Sequence, residues 1–220
     1  MQYNVKENLR LIQEEIVPYK PNIIAVTKYF DGNAIVEAYQ AGLRNFGESR
    51  VIEATEKING LPEDVQKNSK FHFIGHLQSN KARKAVARFD VIHSVDSYKL
   101  AAIISESASE IGKTQDILLQ LNNANEVQKS GFSKEELFDS FEDIKKLPNL
   151  NILGLMNMAP LGAEEIKLRE LFSDVKRVRD ELEIEFACKL PELSMGMSQD
   201  YKIAVTQGAT MLRIGHKLFS

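Results

Sequence analysis

The strongest constraint on the fold is an alternation of short apolar segments with longer amphipathic segments along all 220 residues. The apolar segments, several of them rich in β-branched and aromatic residues, have the length of buried strands, and the amphipathic ones have helical periodicity. The predicted strands are residues 23–27, 45–47, 71–74, 91–95, 117–122, 152–156, 193–197 and 211–214. The predicted helices are residues 5–16, 32–41, 50–58, 80–88, 97–111, 134–146, 164–183 and 199–207.

A helix after nearly every strand favours an α/β fold with a parallel sheet. Eight such strands predict a single (β/α)8 barrel of the TIM type, and an open doubly wound sheet is the alternative. Only residues 215–220 follow the last predicted strand, so we expect the opening helix to cover the gap that a closing helix would fill. No linker rich in proline, glycine or serine divides the chain, which predicts one domain over residues 1–220.

The bulk composition excludes several classes of function. The net charge of −3, with 28 basic and 31 acidic residues, gives no basic face for nucleic acid. A single cysteine, Cys188, excludes an intramolecular disulfide, and no cysteine–histidine cluster has zinc spacing. The polar start and the lack of a stretch of ~20 apolar residues predict neither a signal peptide nor a membrane span. We therefore expect a soluble, cytoplasmic protein.

Lys28 follows the first predicted strand directly. The carboxyl ends of barrel strands carry the active sites of this fold, and apolar surroundings there favour the neutral amine that forms an imine with an aldehyde. The alternative is a lysine that only marks the end of the strand.

Two turns near the end of the chain suit an anion. Ser198 lies between a strand and a helix start, after Gly196, and Gly215 follows the last strand, where barrels commonly bind phosphate. Arg213 is two residues earlier, and an arginine beside a pyridine nitrogen keeps that nitrogen unprotonated because it only donates. Together with Lys28, this set suggests pyridoxal 5′-phosphate (PLP). Read separately, Ser198 is a helix cap, Gly215 a turn and Arg213 a surface residue.

Several ordered segments resemble the PLP homeostasis proteins, a single-domain family related to the barrel of alanine racemase. The resemblance extends from about residue 23 to residue 219 and is most specific at residues 72–81 and 193–198. The other segments are residues 25–28, 45–48, 92–96, 154–156 and 213–215, with Asp200.

The resemblance implies a PLP fold-type III barrel without the C-terminal β domain of racemases, and an aldimine between PLP and Lys28. It places Arg213 at the pyridine nitrogen, and Ser198 and the Gly215–His216 backbone at the phosphate. The residues expected to bind the cofactor are Lys28, Asn45, His76, Ser194, Ser198, Arg213, Gly215 and His216, with no metal. Ser49 and His216 depart from the family pattern, which has asparagine and a hydroxyl residue there, so the resemblance does not predict the PLP affinity.

Family members carry or buffer PLP, which implies a non-catalytic role in vitamin B6 homeostasis and apoenzymes of PLP enzymes as partners. The alternative is an amino-acid racemase, which needs a base on each face of the substrate. Related racemases take the second base from an all-β domain that we do not expect here, and Tyr29, Tyr98 and Tyr201 are the remaining candidates. A Schiff-base aldolase without PLP is a third interpretation.

Overall fold

The computed structural model of the protein describes residues 3–124 and 130–220. Within these ranges eight parallel strands form a closed barrel, in which each strand pairs with the next along the chain and the last pairs with the first. The predicted barrel is confirmed and the open sheet is excluded. The strands are β1 (Asn22–Val26), β2 (Asn45–Glu48), β3 (Lys70–Phe73), β4 (Val91–Val95), β5 (Gln115–Gln120), β6 (Leu150–Met156), β7 (Glu192–Met197) and β8 (Met211–Ile214).

Helices surround the barrel, and eight of them match the predicted amphipathic segments. Two short helices were not predicted: α4 follows Pro62, and α10 follows Gly215. The helices are α1 (Val5–Glu15), α2 (Gly32–Gln40), α3 (Val51–Asn59), α4 (Glu63–Lys67), α5 (Ala82–Arg88), α6 (Tyr98–Glu110), α7 (Lys134–Lys146), α8 (Glu165–Glu185), α9 (Tyr201–Thr206) and α10 (His216–Phe219). A 3₁₀ turn at Ser79–Lys81 precedes α5, so this helix begins later than predicted.

None of the helices in the described ranges is long and apolar enough to cross a membrane.

Two apolar layers hold the barrel together. Ile24 belongs to a small cluster inside the barrel, whereas its neighbours Ile23 and Ala25 belong to the larger cluster between the strands and the helices. This alternation follows from the two-residue period of a strand. The inner cluster consists of Ile24, Val91, Leu118, Met156 and Met211. Apolar side chains therefore fill part of the interior, and polar side chains occupy another part, described below.

The two ends of the chain meet beside β1. The Asn8 side chain donates hydrogen bonds to the carbonyl oxygens of Leu218 and Ser220, at 3.1 and 2.8 Å. The Phe30 ring, after β1, contacts the rings of Tyr3 and Phe219. The opening helix thus packs at the end of the barrel after β8 as predicted, but it does so together with α10.

Candidate functional site

A cavity of about 590 Å³ opens at the carboxyl ends of β1, β7 and β8, on the face where barrels build their sites. One wall is polar and carries Lys28, Ser198, Arg213, Gly215 and His216. Another part of the lining comes from the loop between β6 and α8, which contributes mostly apolar residues. These are Met158, Ala159, Pro160, Leu161, Gly162 and Ala163. The volume is typical of a cofactor or small-ligand site.

Lys28 lies on the rim of this cavity. It follows Thr27, two residues beyond the end of β1, and its side chain is exposed. Its ammonium nitrogen is 4.9 Å from the ring centre of Tyr29, a residue that is itself 82% exposed. The expectation that Lys28 is enclosed by apolar side chains is therefore wrong, because the side chain is exposed to water at the rim. An amine at this rim can reach the cavity and remains accessible to water.

Arg213 forms the floor of the cavity and is only 4% exposed. Its guanidinium donates to the Ser194 carbonyl at 2.7 Å and to the Ser194 hydroxyl at 2.6 Å. A further bond to the carbonyl of Asn157 measures 2.7 Å. Burial lowers the pKa of Arg213 to about 10, while nearby Asp200 acts in the opposite direction. Arg213 is thus a fixed cation at neutral pH.

A chain of hydrogen bonds runs from Arg213 through the barrel interior. The Ser194 hydroxyl is 2.9 Å from His93 Nδ1, and His93 Nε2 is 2.9 Å from His72 Nδ1. The chain ends where His72 Nε2 lies 3.0 Å from the side-chain oxygen of Asn45, the first residue of β2. It links β8, β7, β4, β3 and β2 and leads from the floor of the cavity to the amino-terminal end of β2.

The direction of this chain follows from its two ends. An amide oxygen only accepts, so His72 Nε2 donates to Asn45; a guanidinium only donates, so the Ser194 hydroxyl accepts from Arg213. If both imidazoles are neutral, each carries its proton on Nε2, His93 Nε2 donates to His72 Nδ1, and the Ser194 hydroxyl donates to His93 Nδ1. Their pKa values agree with this: burial lowers the pKa of His72 to about 3, and burial together with His72 and Arg213 lowers the pKa of His93 well below its usual range.

Ser198 and the start of α10 form a second polar group at the cavity. The Ser198 hydroxyl accepts from the backbone N–H groups of Gly215 and Lys217, at 3.3 and 3.4 Å. A side chain at Gly215 would approach Val26 to 3.3 Å, so glycine allows β1 and this turn to lie close together. His216 is exposed at the edge of the cavity. Because the Ser198 hydroxyl accepts from both N–H groups, it can donate its own proton to an anion in the cavity.

Gly196 does not serve the anion site, contrary to the sequence interpretation. Its φ of +93° needs glycine, and a Cβ there would lie 2.6 Å from the Cβ of Ala204. The next N–H, that of Met197, donates to Asp200 at 2.6 Å and is therefore not directed at the cavity. Burial raises the pKa of Asp200. Gly196 thus serves the close packing of β7 against α9.

Three residues predicted to bind the cofactor do not line the cavity: Asn45, His76 and Ser194. Asn45 and Ser194 instead belong to the chain of hydrogen bonds behind Arg213. His76 lies after β3 and contacts the Ser130 hydroxyl at 3.1 Å. Ser49, which departs from the family pattern, packs against Gly75 and also lies away from the cavity.

Sequence reasoning missed the role of His72 and His93 in this site. Each stands in the middle of an apolar strand, and this was the available signal. A polar side chain in such a strand must find a partner in the barrel interior. Which partner it finds depends on the barrel register, which the spacing along the chain does not reveal.

The chain belongs to the family defined by the alanine racemase N-terminal domain, which matches residues 2–220. Two relatives in that family are named PLP homeostasis proteins. That of Synechocystis sp. is 41% identical over 203 residues, covering 92% of both chains. That of Aquifex aeolicus is 37% identical over 198 residues, covering 90% of this chain and 85% of the relative.

Solved structures agree with this membership. PipY of Synechococcus elongatus, solved with PLP bound, is 38% identical, with a TM-score of 0.89 over 99% of this chain and all of PipY. An alanine racemase from Clostridium difficile is 16% identical, with a TM-score of 0.78 over 98% of this chain and 56% of the racemase. The second similarity shows the barrel fold alone.

Proposed function

We propose that this protein binds PLP at the barrel mouth and carries or buffers it as part of vitamin B6 homeostasis. The observation that carries the proposal is the arrangement of three groups around one cavity: the Lys28 amine, the Arg213 guanidinium, and Ser198 hydrogen-bonded to the turn at Gly215. The relatives named PLP homeostasis proteins, and PipY with PLP bound, support it. When bound, PLP supplies an aldehyde that bonds reversibly to primary amines.

The chemistry of the donors fits this cofactor. Lys28, as the neutral amine, forms an imine with an aldehyde and releases water. Arg213 would donate to the pyridine nitrogen and, having no acceptor, would keep that nitrogen unprotonated. The Ser198 hydroxyl, which accepts from the N–H groups of Gly215 and Lys217, would donate its own proton to the phosphate, and the exposed His216 side chain lies beside it.

The exposure of Lys28 favours a carrier over an enzyme. Carbanion chemistry is normally shielded from water, and Lys28 is exposed at an open rim. Of the candidate second bases, Tyr201 is hydrogen-bonded to Glu15, and Tyr98 does not line the cavity. Tyr29 lines it but is the chain neighbour of Lys28, so it is poorly suited to reach the opposite face of a substrate. The racemase alternative is therefore not favoured.

One spectroscopic titration tests the binding proposal. Adding PLP to the purified protein should produce the visible absorption band of an imine, and Lys28→Ala should abolish it. A protein that stays colourless with PLP would overturn both the carrier and the racemase interpretations and leave the aldolase.

A second assay tests the non-catalytic role. The PLP-loaded protein is incubated with single L-amino acids in deuterated water. Loss of one general base is typically worth about 10²–10⁴ in rate, so we expect no accumulation of the D-isomer. Rapid formation of the D-isomer that Lys28→Ala abolishes would identify a racemase instead. Transfer of PLP to apoenzymes, a cytoplasmic location and the absence of a nucleic-acid ligand remain predictions.

A further inference from the structure

A closed triangle of hydrogen bonds lies directly behind Lys28, outside the cavity. The Thr27 hydroxyl donates to Glu48 Oε1 at 2.7 Å, and Lys57 Nζ donates to the same oxygen at 2.7 Å. Lys57 Nζ also donates to the backbone carbonyl of Thr27 at 2.8 Å. The triangle joins the end of β1, the last residue of β2 and the last turn of α3.

The two charges of this triangle are largely withdrawn from water. The side chains of Glu48 and Lys57 are 3% and 15% exposed. Burying an ion pair costs desolvation of both groups, and the net contribution to stability is often small or unfavourable. Stability alone therefore gives little reason for an ion pair between these helices and strands. The position of the ion pair beside Lys28 gives a functional reason for it.

The triangle fixes the peptide group that leads into Lys28. The carbonyl that Lys57 holds belongs to the planar Thr27–Lys28 peptide, so its orientation sets the direction in which Lys28 leaves the strand. The remaining polar atoms hold Thr27 as well: its N–H donates to Gly47 at 3.0 Å, and its carbonyl also accepts from Phe30 at 2.9 Å. Val26 and Lys28 line the cavity, whereas Thr27 is fully buried on the other side of the strand.

We propose that Glu48 and Lys57 are positioning residues for Lys28: they lock the Thr27–Lys28 peptide so that the Lys28 amine is directed at the aldehyde of the bound cofactor. The inference rests on the proposed function, and it assigns a role to two residues outside the cavity. We therefore expect Glu48 and Lys57 to affect formation of the covalent bond between Lys28 and the aldehyde, and not the contacts to the phosphate or the ring.

The test compares two ligands that differ only at the carbon that Lys28 attacks. PLP carries an aldehyde there, and pyridoxine 5′-phosphate carries an alcohol that cannot bond to an amine. The main variant is the double replacement Glu48→Gln with Lys57→Met, because it leaves no unpaired buried charge. We expect it to weaken PLP binding at least about tenfold, because the Lys28 amine is no longer held in the direction of the aldehyde, and to change pyridoxine 5′-phosphate binding by less than about twofold.

Two single variants serve as controls. Lys57→Arg keeps the charge and the donors and should retain most of the PLP affinity. Lys67→Met removes a lysine of the same type from an ion pair with Glu63, both partners of which are at least 70% exposed, and should change neither affinity.

Each outcome separates the inference from the proposed function. Equal losses for the two ligands, or an unchanged PLP affinity in a double variant that unfolds normally, would overturn the positioning role. Failure of the wild-type protein to form the imine band with PLP would instead overturn the proposed function. If the double variant does not fold, Thr27→Val removes one side of the triangle without leaving a lone charge. It is expected to lose PLP affinity selectively, and an equal effect on the two ligands would refute the proposal.

Discussion

Removing the Ser194 hydroxyl tests the buried chain of hydrogen bonds most sharply. Ser194→Ala takes away the acceptor of one Arg213 bond at 2.6 Å and the donor that faces His93 Nδ1 at 2.9 Å. The Ser194 carbonyl still accepts from Arg213, so the arginine keeps part of its support. The substitution therefore leaves an under-bonded buried cation and a buried imidazole nitrogen without a partner.

The expected cost follows from these two losses. A hydrogen bond to a charged group is worth about 1.5–3 kcal/mol, and an unsatisfied buried polar atom costs about 1–3 kcal/mol. Because the two effects share one hydroxyl and Arg213 retains other partners, they should not add fully. We expect Ser194→Ala to lower the free energy of unfolding by about 2–4 kcal/mol.

Ser94 provides a matched control. Its hydroxyl is equally buried, on β4, and has no hydrogen-bond partner among the described residues. Ser94→Ala should be neutral or slightly stabilising, because it removes an unsatisfied group. Urea unfolding of both variants at pH 7 measures the difference. Equal free energies of unfolding for the two variants would refute the claim that the buried hydrogen bonds of Ser194 stabilise the protein.

Three further predictions concern the phosphate contact of Ser198, the buried His72 and the ion pairs of Glu15. Ser198→Ala should weaken binding of PLP by about 1–3 kcal/mol and leave binding of pyridoxal nearly unchanged, and equal losses in a titration would place the phosphate elsewhere. Lowering the pH from 7 to 5 should destabilise the protein. The pKa of His72 is about 3 when folded against 6.5 as a free group, so its contribution is complete above pH 6.5 and is lost as the pH falls toward 3. His72→Gln should flatten this dependence by up to about 1.4 kcal/mol per pH unit, and an unchanged slope in urea unfolding would contradict it. Glu15→Gln removes the negative charge that Lys217 and Tyr201 face but keeps an acceptor oxygen, and Glu15 is a third exposed. The free energy of unfolding in urea should therefore fall by only about 1 kcal/mol or less, and a much larger loss would contradict this description of the cluster.

The barrel was predictable because each strand is a short apolar run with its own local signal. The predicted ends failed where polar residues are buried in a strand. β5 begins at Gln115, not at residue 117, because Gln115 already pairs with Leu150 of β6, and its buried amide donates to the carbonyls of Asp90 and Asp116. α4 was missed because a five-residue helix after Pro62 shows no full amphipathic period.

Only the site residues at or just after the ends of strands could be predicted from the sequence. Lys28, Ser198, Arg213, Gly215 and His216 follow strands or lie near their ends, and the fold brings them to one cavity. The series of hydrogen bonds from Arg213 to Asn45 could not be predicted from the sequence, because it joins five strands through the barrel interior. The Glu48–Lys57 ion pair was not predicted for a related reason. The two residues are nine positions apart, and this spacing indicates no contact until α3 packs beside β1.

Identifying the lysine that bonds to PLP is the most direct test of the proposed PLP site. The PLP-loaded protein is reduced with borohydride, digested, and the modified peptide is identified by mass spectrometry. We expect one dominant adduct, on Lys28, at the rim of the cavity. An adduct on another lysine, such as Lys81, or the absence of any stable adduct would contradict it.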